Sequence, residues 1–106
     1  MKVIHNRFLP IKGFAAINLF GIIFARKGIT ISKEMLNHEY IHTLQQRELL
    51  WIGFYLIYII EWLYLIIRFK SAFRAYRNIH FEREAYIHQT DETYASTRQN
   101  YAWLYL

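Results

Sequence analysis

A chain of 106 residues without cysteine makes one domain near the small end of the usual range. It excludes a two-lobed peptidase, disulfides, iron–sulfur clusters and thiolate-held zinc. Metal ligands would have to come from its 5 His and 8 acidic residues, of which only Asp91 is an aspartate. Hydrophobic residues make up 55%, aromatics 19%, and the formal net charge is +5. That is heavy for a small soluble domain, and together with the positive balance it fits a membrane surface. Nucleic acid is not the expected partner, because the basic residues form no stripe interleaved with aromatics and no nucleic-acid motif is present.

Met1 to Gly13 is short and mixed, with the single proline at Pro10 and too little apolar run for a signal peptide. Phe14 to Ala25 is β-branched and aromatic. It reads as strand, a bend at Gly21, then strand, with Arg26-Lys27-Gly28 as a turn. A buried helical hairpin competes, and the stretch is short for a membrane span. An extended edge here, just before the next helix, is suited either to plain core pairing or to pairing with a substrate backbone.

Thr30 or Ser32 can cap the helix that follows, with Glu34 in its first turn. That helix carries His38-Glu39-Tyr40-Ile41-His42, an H-E-x-x-H pattern. Residues i and i+4 share a helical face, so two imidazoles can point at one metal ion. Glu39 stands where a carboxylate can act as general base toward a metal-activated water. Gln45, Gln46, Arg47 and Glu48 read as the polar end of this helix.

Leu49 to Ile67 follows, nearly uniformly apolar, with Glu61 its one charge. Its length suits a bilayer core of about 30 Å. Trp51 and Tyr55 near one end, and Trp62 and Tyr64 near the other, resemble interfacial aromatics. Arg68 and Lys70 close it. A helix apolar all round needs more protein to bury it than this chain holds. The expectation is therefore a membrane-inserted helix or a peripheral, partly embedded hairpin, with a homo-oligomer as the other possible cover. Basic residues on both flanks leave the sidedness open.

Ser71 to Arg77 is amphipathic and basic, and Ile79 to Gln89 reads as a returning helix. Thr90 or Asp91 can cap a last helix, on which Tyr94, Arg98, Tyr101 and Tyr105 recur as a packing face. A catalytic zinc needs a third protein ligand besides the two His. Glu61, Glu82 and Glu84 are the candidates. Glu61 would lie nearly 30 Å from His42 on a continuous helix, and among the intervening residues only Gly53 favours a reversal. Glu82 is best placed, with the small Ala85 on its face allowing close approach, and Glu84 points about 200° away from it. His80 and His88 are the neighbouring imidazoles.

His38-Glu39-x-x-His42, followed by Glu82-Arg83-Glu84-Ala85, resembles the gluzincin metallopeptidases. It is most similar to the membrane-embedded branch of CaaX-prenyl-protease and HtpX type. The resemblance implies His38, His42 and Glu82 as zinc ligands, Glu39 as the base, and a peptide or protein substrate. Those families commonly have Asp after the alanine, where this chain has Tyr86. A carboxylate that could orient a ligand histidine is then missing. The expectation is a single minimal zincin-like metallopeptidase domain over residues 1–106, with its apolar segment at 49–67. It would be mainly α, with three to four helices, a short N-terminal β-hairpin and one very apolar, membrane-associated helix. The competing reading is a non-catalytic small membrane or oligomeric interaction protein, in which the H-E-x-x-H is structural or accidental.

Overall fold

The computed structural model describes residues 2–8 and 15–106. Met1 and residues 9–14, which include Pro10 and the expected strand start at Phe14, lie outside them. The described residues form strands β1 (Val3–Asn6), β2 (Ala16–Leu19) and β3 (Ile22–Arg26), then helices α1 (Lys33–Glu48), α2 (Ile52–Phe69), α3 (Ala72–Asn78), α4 (His80–His88) and α5 (Tyr94–Thr97). A single 3-10 turn, Ala102–Tyr105, ends the chain. The fold is thus mainly helical with one small sheet and one very apolar helix, as the coarse sequence reading expects.

β2 and β3 form the expected hairpin, antiparallel, with Leu19 opposite Ile22. Its two-residue turn puts Phe20 at φ 53° and Gly21 at φ 84°. Two positive φ values in succession match the right-handed twist of the flanking strands. β1 adds in parallel to β3, so the sheet order is β1-β3-β2. β1 is not foreseeable from sequence, because Val-Ile-His-Asn lacks clean alternation and its partner is not its neighbour in the chain.

Ser32 caps α1 by accepting the Met35 N–H at 3.1 Å. Asn18 of β2 fastens the sheet to this helix, donating to the Glu39 carbonyl and to Thr43 Oγ1, both at 2.7 Å. Gln46 completes the joint by donating to Asn18 Oδ1 at 3.3 Å and accepting the Gly21 N–H at 3.1 Å. Gln45 and Gln46 are therefore fully buried, not part of a solvated helix end. Buried amides are tolerable only when bonded, and both are.

Between α1 and α2 the chain reverses sharply. Leu50 and Trp51 sit at φ 54° and 64°, and the Ile52 N–H closes a γ-turn onto the Leu50 carbonyl at 2.7 Å. The reversal uses two non-glycine residues in a costly region, which turn-residue signals do not reveal. It folds α2 back so that Phe54 stacks on Phe81 of α4 at 4.6 Å. Phe81 also meets Trp103 at 4.6 Å. These rings, with Leu65, Ala75 and Ile79, form the core, and full burial of a ring such as Phe81 contributes about 1.5–3 kcal/mol.

α4 runs antiparallel to α1. Asn37 near the start of α1 donates to the carbonyls of His88, Gln89 and Asp91, while Gln45 near its end donates to the carbonyl of Phe81. At the N-terminal end of α4, beside Phe81, Glu61 of α2 accepts the His80 backbone N–H at 3.0 Å and also bonds His80 Nδ1. A carboxylate on the first N–H of a helix satisfies an orphan donor and complements the helix dipole. The expected last helix is broken. α5 stops at Thr97, Arg98 is extended at φ −61° and ψ 135°, and Trp103, not the tyrosine series, supplies the buried anchor.

Candidate metal centre

His38 and His42 lie one turn apart on α1, and Glu82 faces them from α4. His38 Nε2 and His42 Nε2 are 3.2 Å apart. Glu82 Oε1 is 3.1 Å from the first and 3.0 Å from the second. All three side chains are buried. Glu39 joins the two histidines in a compact set whose ligand atoms lie within 4.8 Å of one another. Its carboxylate stands further back, 4.0 Å from His38 Nε2. Distance therefore makes Glu82 the third donor of the triangle and leaves Glu39 beside it.

The outer bonds decide where the lone pairs point. The Gln45 nitrogen donates to the Phe81 carbonyl at 3.0 Å and to Glu84 Oε1 at 2.9 Å. Its oxygen therefore faces His42 Nδ1 at 2.8 Å and accepts that N–H. His38 Nδ1 donates in the same way to Gln89 Oε1 at 2.9 Å. With each proton on Nδ1, each neutral imidazole turns an Nε2 lone pair toward Glu82 Oε1. Three acceptors then converge, and only a cation or an added proton can hold them together. A tetrahedral ion with bonds of about 2.0–2.1 Å sets its donors about 3.3–3.4 Å apart, close to the spacing of this triangle.

Without a metal the proton does the work. Burial alone would lower His42, but the charge and hydrogen bond of Glu82 outweigh it and push its pKa up to about 9. Glu82 is held well below the usual carboxylate range, because the two histidines outweigh its own burial. Glu39 goes the other way, since burial raises its pKa more than the histidines lower it.

Each member is braced from a different element. Tyr58 of α2 donates to Glu82 Oε2 at 2.7 Å, leaving Oε1 for the histidines. The Tyr86 ring packs edge-on against His38 at 4.5 Å, and its hydroxyl pairs with that of Tyr76 at 2.9 Å. Burial raises the Tyr76 pKa, and the charges of Glu82 and Glu39 raise it further, so this hydroxyl stands in the field of the site.

The other sequence candidates serve elsewhere. Glu84 is fully buried and bonded to Gln45, Tyr94 and Arg98. It holds the amide that holds His42, so a carboxylate orients this histidine through a relay that Tyr86 does not touch. Glu61 bonds His80, and His88 stacks on Tyr94 at 3.7 Å. Sequence reasoning misses Gln45, Gln89, Tyr58 and Tyr76. Two of these carry a usable signal, since Gln45 is at i+3 from His42 and Gln89 at i+7 from Glu82, on the same helical faces. Comparison with family models, with curated proteins and with solved structures finds no match.

Proposed function

We propose that the chain is a minimal, membrane-associated zinc metallopeptidase of gluzincin type, with His38, His42 and Glu82 holding the metal and Glu39 as general base. The observation that carries this reading is the convergence of two fixed imidazole lone pairs and one carboxylate oxygen at 3.0–3.2 Å. Bound zinc supplies Lewis acidity toward a peptide carbonyl and an acidified water. Glu39, whose carboxylate accepts no hydrogen bond among the described residues while its backbone carbonyl is held by Asn18 and Thr43, takes the proton from the attacking water and passes it to the leaving amine. Tyr86, whose ring packs against His38, offers a hydroxyl donor for the oxygen on which charge develops. β2, the sheet edge tied to α1 through Asn18, offers backbone groups to an extended substrate.

A second reading rests on the same triangle. With His42 protonated, the cluster closes as a buried ion pair and needs no metal, which suits a non-catalytic interaction protein. Zinc stoichiometry separates the two. One zinc per chain, lost in Glu82→Gln and kept in Glu84→Gln and Glu61→Gln, supports the peptidase reading. No zinc in the reloaded wild type refutes it.

A further inference from the structure

α2 is long and apolar enough to cross a membrane by length and composition, yet its two faces differ completely. Ile52, Leu56, Ile59, Ile60, Leu63 and Ile67 recur on one side at helical spacing and are 50–79% exposed. The opposite side carries Phe54 and Leu65 into the core. It also carries Tyr58 to Glu82 and Glu61 to His80. The helix is thus an aliphatic stripe on one side and the floor of a polar site on the other.

We infer that α2 lies flat in the headgroup and acyl boundary of an anionic bilayer, its aliphatic stripe facing lipid and the His38–His42–Glu82 centre facing water. This rests on the membrane-associated part of the proposed function and replaces a spanning helix with an in-plane one. A spanning helix meets lipid at mid-depth on every side not covered by protein. α4, packed on α2, would be carried to that depth with Glu82, Glu84 and the Arg98 bonded to it. Charged side chains at membrane depth are costly. A helix in the plane buries its apolar face by about 5–10 Å and keeps such groups above the surface.

The charge selects the occupant. Arg68 and Arg74 lie over the Phe69 ring, 5.8 and 5.4 Å from its centre, at the C-terminal end of α2 and to the flank of the stripe, since Phe69 packs against the core. Lys70 is exposed beside them. Phe73 extends the apolar surface there at 62% exposure. A second copy of the chain brings the same net charge of +5 and is repelled, whereas anionic headgroups are attracted.

The chain has no cysteine, so single cysteines can be labelled cleanly. Ile52→Cys, Ile60→Cys and Ile67→Cys, each carrying an environment-sensitive fluorophore, are mixed with vesicles of equal parts phosphatidylcholine and phosphatidylglycerol. The expected result is quenching of all three labels to the same extent, by lipids brominated near the headgroup. Leu56→Ser/Ile60→Ser should weaken vesicle partition about tenfold or more, and vesicles of phosphatidylcholine alone should bind more weakly than the anionic ones. A label at 60 deeper than those at 52 and 67 overturns the in-plane placement and leaves membrane association standing. Equal binding to both vesicle types overturns the anionic selection. No response to either vesicle, with a doubled mass in solution, overturns both and assigns the stripe to a second copy. Zinc content of the same samples tests the metal centre independently of all these outcomes.

Discussion

Replacing Gln45 by leucine tests the outer frame of the site. The side chain is fully buried and makes three hydrogen bonds, to His42 Nδ1 at 2.8 Å, the Phe81 carbonyl at 3.0 Å and Glu84 Oε1 at 2.9 Å. Leucine fills most of the volume and makes none of them. Glu84 keeps Tyr94 and Arg98, so its loss is partial. The His42 N–H is stranded, and a buried unsatisfied donor costs about 1–3 kcal/mol. That loss of at least about 1–3 kcal/mol is read as a fall in the urea midpoint at unchanged slope. The His42 ring also loses what fixes its proton on Nδ1, so zinc affinity should drop about 10–100-fold. Gln45→Glu separates the two effects. It keeps an acceptor for His42 but sets a carboxylate against Glu84, so stability should fall while nitrogen shifts still report the proton on Nδ1. A Gln45→Leu variant with unchanged midpoint and unchanged ring nitrogen shifts would refute the assignment of the lone pairs, and with it the convergent triangle.

Glu39→Gln should keep zinc and lose turnover by about 10²–10⁴-fold, measured as metal content and peptide cleavage on one preparation. Glu84 gives a pH signature. Its burial would raise its pKa, but bonds from Arg98, Gln45 and Tyr94 hold it below the ordinary 4.5. A depressed folded pKa gives stability that is fully present above the unfolded value and lost as pH falls through the folded one. The urea midpoint should therefore fall as pH drops below 4.5, and Glu84→Gln should flatten that limb while lowering stability at neutral pH. Leu50→Gly should stabilise the chain by about 0.5–1 kcal/mol. Leu50 is 82% exposed at φ 54°, so it forfeits little packing and relieves a conformation glycine adopts freely. A lowered thermal midpoint in that variant would show that the reversal needs the leucine side chain.

The H-E-x-x-H pair and Glu82 were legible because they follow from local periodicity. His38 and His42 share a face on any helix, and Glu82 follows once the chain must return past α1. The Phe20-Gly21 turn was legible from its glycine and flanking β-branched runs. The two reversals at Leu50-Trp51 and at Arg98 were not. Neither carries glycine, proline or a capping residue at the critical position, and each is imposed by tertiary contacts: the stacking of Phe54 on Phe81, and the pairing of Arg98 with Glu48 and Glu84.

Gln45 and Gln46 show why polar residues mislead a composition-based reading. Both follow His42 in a run that looks like a solvated helix end, yet both are completely buried. Their burial rests largely on partners from other elements: Phe81 and Glu84 for Gln45, besides His42 on its own helix, and Asn18 and Gly21 for Gln46. None of these partners from other elements lies within helical reach of the glutamines in sequence. The same reasoning applies to the apolar helix. Its composition is uniform enough to suggest a helix apolar all round, but the polar atoms of Tyr58 and Glu61 sort its sides. Both turn toward α4, and the aliphatic stripe is what remains. The direction of those few polar atoms, not mean hydropathy, argues for a helix lying along a surface over one passing through it.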